Sequence, residues 1–572
     1  MQIGANRTLI RVRTRQICML GYGALHNLAN HALSDLHVRS CVLRNQQGEW
    51  LAFANAEICF VTQAIHQEVL QRLQSLAPEL HAGNLVLSAQ HTHSAPGGYS
   101  HYMFYNITIP DFQPDVFEAI VSAFVTSLLT ARDQLQPAVL DYAVMPFPEA
   151  EEVGFNRSVE AYNNNPENER LGPDQTHLAI DRNMYLLRAR SPEGPTLAVL
   201  NFFGVHATSI GPDNQGVSAD NKGYAAVELE QDFLRQGEQT VCIFAQASAG
   251  DVSPNFYGEG KNWPRGKFES QEESARFNGR LQARHAKRIL EQAEFVPLGE
   301  TLDSALIYAD LSGVACDPDF CGGETGRRSA PAVHGVAFLK GTAVDGKGIS
   351  RALAHTVTAL CQLQMSRRLK RLQQENPEIW KIEKLDYQMQ EPKVVAVETG
   401  RRRFLGLDDL GKWPIPEQLD PIFAEVQRLA RAGALKEHSW TPQVLPIQIL
   451  RIGQLALATF PGEITTTAAR RLRACIGESL AGTGVSEVVV CSYANAYFGY
   501  ATTPDEYDLQ TYEGGHTVFG RWTMPAFQTL YRRLAKEMAK PRPERRLDTS
   551  VQPPVFSPEE LSLRSGGRWD AR

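Results

Sequence analysis

Apolar, β-branched runs alternate with amphipathic stretches along almost the whole chain, and that alternation limits the fold more than any other feature. Residues 84–90, 138–147, 196–206, 240–246, 304–311 and 393–398 are apolar runs of strand length. Residues 61–76, 352–374, 421–430, 465–480 and 524–540 instead repeat apolar positions at helical spacing. A chain that mixes both periods lays helices on sheets. The expectation is therefore an α/β, mixed α+β architecture, a large layered domain whose sheets are covered by helices. Residues 445–460 read as two strands folded back at Gly453, which is free to take positive φ. No repeat at solenoid or propeller periods is legible, and no heptad run.

With 572 residues, 43% of them hydrophobic and 21% charged, the chain has ample material for a large core and is not disordered. Its formal charge of −7 provides no basic field to collect phosphates, which argues against a nucleic-acid partner. The longest lipid-like stretch, 119–131, is broken by Ser and Thr and is shorter than the roughly 20 residues of a membrane helix, so no transmembrane segment is expected. Residues 1–20 carry Arg7, Arg11, Arg13 and Arg15 without an apolar core and cleavage site, and the expectation is a cytoplasmic protein without a signal peptide. Nine cysteines are too sparse and too odd in number for a disulfide scaffold. The close pair Cys316 and Cys321 is assigned to loop structure. The tail 541–572, rich in Pro, Arg, Glu and Ser, reads as a loosely packed extension of a domain spanning 1–540.

Chemistry-bearing residues cluster just past the strands. His91 and His93 follow the run 84–90 and lead into Gly97-Gly98; on extended backbone, side chains two apart share a face, so both imidazoles can meet one metal or one substrate group. His206 closes the run 196–206. Glu463 follows a strand in Pro461-Gly-Glu463, at a helix start where a first-turn carboxylate is also the bland reading. Asp251 and Ser253 lie in Gly250-Asp-Val-Ser-Pro-Asn255, and Ser248 has Gln246 where a nucleophile elbow needs glycine.

Taken in order, these segments resemble the neutral (non-lysosomal) ceramidase family. The resemblance runs from Met19-Leu-Gly-Tyr-Gly23 through His91-Thr-His-Ser-Ala-Pro-Gly-Gly98, Asn156-Arg157-Ser158, Phe203 to His206, Asp220-Asn-Lys-Gly-Tyr224 and Gly250 to Asn255. It continues through Gln448 to Gln454, Pro461-Gly-Glu463, Asn495-Ala-Tyr-Phe-Gly-Tyr500 and Tyr512-Glu-Gly514.

What the resemblance implies is a zinc amidase whose catalytic domain spans 1–540. One Zn²⁺ would be held by His91, His206, Glu463 and Tyr500. It would lower the pKa of a water and share the charge of the tetrahedral oxyanion formed at an amide carbonyl. His93 would pass a proton to the departing amine, while Arg157 and Tyr512 would act at the reacting amide. Asp251 and Ser253 would bind substrate. The implied substrate is a small-molecule N-acyl amide or lipid, first of all ceramide, cleaved to a fatty acid and a sphingoid base. The alternatives are an amidase on another N-acyl compound, such as an N-acyl amino acid, and a non-catalytic lipid-binding relative. The immunoglobulin-type sandwich usual beyond the family's catalytic domain needs about 100 residues, more than follow Lys540 here, and is expected to be missing.

Overall fold

The computed structural model describes residues 1–565 except 25, 107–108, 110–111, 257–265, 343, 407–409 and 411–420. One arrangement, three antiparallel strands followed by a helix and a parallel fourth strand, occurs three times. In the first unit β1 (Gln2–Leu9), β2 (His37–Arg44) and β3 (Trp50–Ala56) are antiparallel neighbours, and β4 (Leu85–Ala89) pairs parallel to β3. Parallel neighbours need a crossover, here helix α1 (Gln63–Leu76), and α2 (Pro114–Asp133) follows. The second unit repeats this with β5 (Val139–Pro146), β6 (Asn183–Arg190), β7 (Thr196–Phe202) and parallel β8 (Val241–Ala245), using α3 (Asp220–Arg235) and α4 (Gln271–Gln292).

The third unit has β9 (Leu302–Asp310), β10 (Val444–Ile452), β11 (Leu455–Thr459) and parallel β12 (Glu487–Cys491). Residues 311–443 interrupt it between β9 and β10 and include the paired helices α5 (Arg351–Glu375) and α6 (Pro377–Gln390). Its crossover is α7 (Thr466–Ser479), and α8 (Thr523–Met538) follows. The expected hairpin at Gly453 is present, with φ of +58° there.

The three sheets share one apolar interior. Leu43, Phe53 and Val86 of the first sheet meet Leu187, Phe202 and Ile243 of the second and Leu450, Leu457 and Val489 of the third. Each sheet's outer face is covered by its own two helices, forming three further cores. Because both faces of every sheet are buried, the strands read as continuous apolar runs rather than alternating ones. Helix starts are written locally: Thr62, Ser270 and Ser350 each accept a backbone N–H of the first turn of α1, α4 and α5.

One expectation changes. Helix α2 extends the apolar stretch to 20 residues and is long and apolar enough to cross a membrane, yet half of its apolar window is buried within the fold, and Ser127 hydrogen-bonds Ser40 of the sheet at 2.7 Å. The tail lies mostly exposed over its described part and is tied to the fold at a few points. Arg542 and Arg545 bind Asp303, Phe556 is buried against His438, and the final helix Pro558–Arg564 buries Glu560 and Arg564. Residues 566–572 lie outside the described part.

Candidate metal centre

The parallel strand pairs converge at their C-terminal ends. Gln246 Nε2, just past β8, donates to Gln90 O past β4 (2.8 Å), and Ser492 N, past β12, donates to Gln246 O (3.1 Å). At this junction His91 lies two residues beyond β4, while His206 and Glu463 each lie four residues beyond β7 and β11. One ligating atom from each of His91, His206 and Glu463 falls within 4.8 Å of the others, and all three side chains are buried. Glu463 Oε1 is 3.4 Å from His91 Nε2, and Oε2 is 3.0 Å from His206 Nε2. Glu463 and Tyr500 are parallel β-partners, which brings the Tyr500 hydroxyl to 3.3 Å from His206 Nε2.

The backbone fixes the orientation of both rings. His91 Nδ1 is 2.7 Å from Cys59 O and His206 Nδ1 is 3.1 Å from Val252 O, so each ring spends Nδ1–H on a carbonyl and turns a basic Nε2 inward. His91 holds φ of +74°, a left-handed conformation that L-residues adopt at a cost of about 1–3 kcal/mol. Burial drives the His91 imidazole down to about 4 and that of His93 well below its usual value, so both rings are neutral at pH 7. Burial opposes ionisation of Glu463 too, but its hydrogen-bonding surroundings, the Tyr497 hydroxyl among them, hold it as a carboxylate well below its usual range. Tyr493 and Tyr497 both donate to it. Imidazoles around a buried carboxylate form a donor set for a divalent cation.

His93 stands beside the cluster, its Nε2 2.9 Å from His91 Nε2 and its Nδ1 buried without a hydrogen-bond partner. Its ring lies on Gly21, where a Cβ would come within 2.3 Å of His93 Cγ. The Met19-Leu-Gly-Tyr-Gly23 segment is thus the floor under the second histidine.

The Arg157 side chain is buried and makes four hydrogen bonds. It donates to Asp345 (2.7 Å), Glu513 (2.8 Å), Gly250 O (2.9 Å) and the Tyr500 hydroxyl (3.0 Å). Burial and Glu463 push the Tyr500 phenol well up, and Arg157 opposes them. The Tyr512 ring lies 5.4 Å from that of Tyr500. Ser253 donates to Asp345 at 2.7 Å, a carboxylate rather than a histidine.

Asp251 lies beside them and is held by protein donors. One carboxylate oxygen accepts the backbone N–H and hydroxyl of Thr466 at the start of α7, and the other accepts Asn156 Nδ2 (2.7 Å). A buried carboxylate needs such donors, and here three of them tie α7 to the Asn156 segment.

Sequence reasoning missed Asp345, Tyr493 and Cys59, and gave Tyr497 and Glu513 no role although both lie in quoted motifs. Asp345 sits in Val344-Asp-Gly346, which reads as an ordinary turn. Tyr493 and Tyr497 sit in an apolar context in which tyrosine reads as core. Only the positive φ of Tyr493 (+55°), at the position past β12 matching His91 past β4, marks it in the structure.

A family model described as neutral/alkaline non-lysosomal ceramidase, N-terminal, matches residues 1–406 and 410–529. The neutral ceramidase of Pseudomonas aeruginosa is 31% identical over 568 residues, covering 99% of this chain and 76% of the relative. That of Mycobacterium tuberculosis is 30% identical over 540 residues, covering 92% and 75%. Among solved structures, a ceramidase complexed with C2 superposes with a TM-score of 0.79 at 29% identity, covering 97% of this chain and 77% of that one. The crystal structure of the Pseudomonas aeruginosa neutral ceramidase gives 0.75 at 28% identity, covering 98% and 76%.

Proposed function

The chain belongs to the neutral/alkaline non-lysosomal ceramidase family, and from that membership and the site we propose that it hydrolyses the N-acyl amide bond of ceramide to a fatty acid and a sphingoid base, with one zinc ion held by His91, His206, Glu463 and Tyr500. The observation that carries the proposal is the approach of three ligating atoms from three separate units to within 4.8 Å, with the Tyr500 hydroxyl alongside. The donor set fits zinc: two imidazoles whose Nδ1 positions are committed to carbonyls, a carboxylate, and one phenol. When bound, the ion supplies Lewis acidity toward water and the amide carbonyl.

The chain's own residues supply the rest. Arg157 donates to the Tyr500 oxygen and so favours the phenolate that a ligand must be. His93, with its buried Nδ1 unpartnered beside the cluster, is the group placed to hand a proton to the departing amine, which leaves only when protonated. Burial keeps Tyr512 protonated, so it is a hydrogen-bond donor for the carbonyl oxygen as charge develops there. Ser253 binds substrate through its oxygen while donating its proton to Asp345.

The test is mass-spectrometric detection of both products from N-acyl sphingosines of short, medium and long chain in detergent, beside N-acyl amino acids of the same lengths. Each methylene buried contributes about 0.8 kcal/mol, so a ceramide-shaped pocket favours long acyl chains. Hydrolysis confined to the N-acyl amino acids would move the chain to the other amidase reading, and cleavage of neither class would leave the non-catalytic one.

A further inference from the structure

Helix α6 is built inside out. It buries Glu383, Asp386, Tyr387, Met389 and Gln390, while Ile379, Ile382 and Leu385 are 43%, 59% and 41% exposed. The buried polar face is an anchor: Glu383 accepts from Arg368 and Arg403, Asp386 from Arg328 and Arg401, and Gln390 Nε2 donates to Val518 O. The apolar side chains of the same helix are left largely exposed.

Helix α5 behaves alike. Of its 25 residues only Ala354, Cys361 and Leu372 are buried, and Leu353, Leu360 and Leu363 are each at least 40% exposed. Six of the fifteen exposed large hydrophobic side chains among the described residues therefore fall on this one helix pair. Scattered exposed leucines need no explanation, but apolar stripes on adjoining helices mark a contact surface.

Charge identifies what the surface meets. Arg351, Arg367, Lys370, Arg371, Lys381 and Lys384 are exposed on the pair, against only Glu375 and Glu378. The chain as a whole carries −7. A local cationic, apolar surface on an acidic protein is complementary to anionic lipid headgroups over acyl chains. A second copy of the chain fits less well, because a two-fold contact would set the same cations against each other. The pair is also joined to the metal centre: Ser350, which caps α5, follows shortly after Asp345, the partner of Arg157 and Ser253. On the other side of that link Phe338 stacks on Tyr512 at 5.6 Å.

We propose that the α5–α6 pair is the surface by which the protein docks on a bilayer that contains anionic lipid and presents a lipid substrate. The identity of that substrate rests on the ceramidase reading; the docking rests on the exposed stripes and their charge. The test is co-sedimentation of the full chain with vesicles of phosphatidylcholine, and of phosphatidylcholine mixed equally with phosphatidylglycerol, with solution mass measured in parallel. Wild type should prefer the mixed vesicles. The double change Ile382→Ser with Leu385→Ser should weaken binding roughly tenfold or more, from the lost burial of two aliphatic side chains. Lys381→Glu with Lys384→Glu should remove the preference for phosphatidylglycerol. Both variants should hydrolyse a short-chain ceramide in detergent as wild type does. Equal vesicle binding by wild type and both variants would overturn the proposal, as would no vesicle binding by wild type. So would a wild-type dimer that the serine variant splits with vesicle binding unchanged. Failure of wild type to cleave the detergent-presented ceramide would count against the ceramidase reading and leave the docking result standing.

Discussion

Replacing Gly21 by alanine separates the second histidine from the metal ligands. Gly21 has φ of +134°, and an added Cβ would lie 2.3 Å from His93 Cγ and 2.6 Å from Nδ1. Carbon atoms pack at about 3.5–4.0 Å, so the ring must retreat by more than about 1 Å or the 19–23 segment must move. A displacement of that size at a group that handles a proton costs about 100-fold in turnover. The backbone conformation adds about 1–3 kcal/mol of strain. Gly48→Ala is the control, since Gly48 also has positive φ (+81°) with nothing within 4 Å. The assay is kcat on an N-acyl sphingosine beside zinc content and unfolding free energy for both variants. Gly21→Ala should lose about 100-fold in kcat with zinc retained; Gly48→Ala should lose stability alone. Full turnover in Gly21→Ala would refute the role given to His93, and a loss of zinc matching the loss of turnover would make His93 a ligand instead.

His91→Ala and His206→Ala should each abolish zinc retention, whereas His93→Ala should keep zinc and lose turnover; elemental analysis beside kinetics distinguishes them. Arg157→Met strands the buried carboxylates of Asp345 and Glu513 and should destabilise the fold by about 3–5 kcal/mol in chemical denaturation, more than Arg157→Lys. Trapping reactions with substrate should leave Ser253 unacylated by mass spectrometry, because its hydroxyl donates to Asp345 and not to a histidine base. Burial raises Asp251 to about 6 and Glu506 to about 7. The unfolded chain loses these protons first, so the stabilisation is complete near pH 4 and is lost as pH rises through 6 to 7. Unfolding free energies measured over that range should fall by an amount on the order of 3 kcal/mol for Glu506, and less steeply in Glu506→Gln.

Much of this architecture is legible because its signals are local. The runs at 84–90, 138–147 and 240–246 become β4, β5 and β8 with their ends moved by a residue or two. The run 196–206 stops as strand at Phe202, because the next four residues turn from the sheet to carry His206 inward. The threefold recurrence is invisible in the sequence: its units share strand order and crossover but differ in loop length, and residues 311–443 interrupt the third. His91, His206 and Glu463 stood out because polar residues end apolar runs. Asp345 did not, because its partners Arg157 and Ser253 are brought to it only by the fold. Asp251 illustrates the converse: a motif position can be occupied by a carboxylate that holds a helix start.

The most direct test of the central claim is hydrolysis of a long-chain N-acyl sphingosine by the purified chain, followed through both products, before metal removal, after chelation and after zinc is restored. The account predicts release of fatty acid and sphingoid base in equal amounts, lost on chelation and recovered with zinc in wild type, with no recovery in the His206→Ala variant. Undiminished cleavage by the chelated, zinc-free protein, or full recovery by His206→Ala, would contradict it.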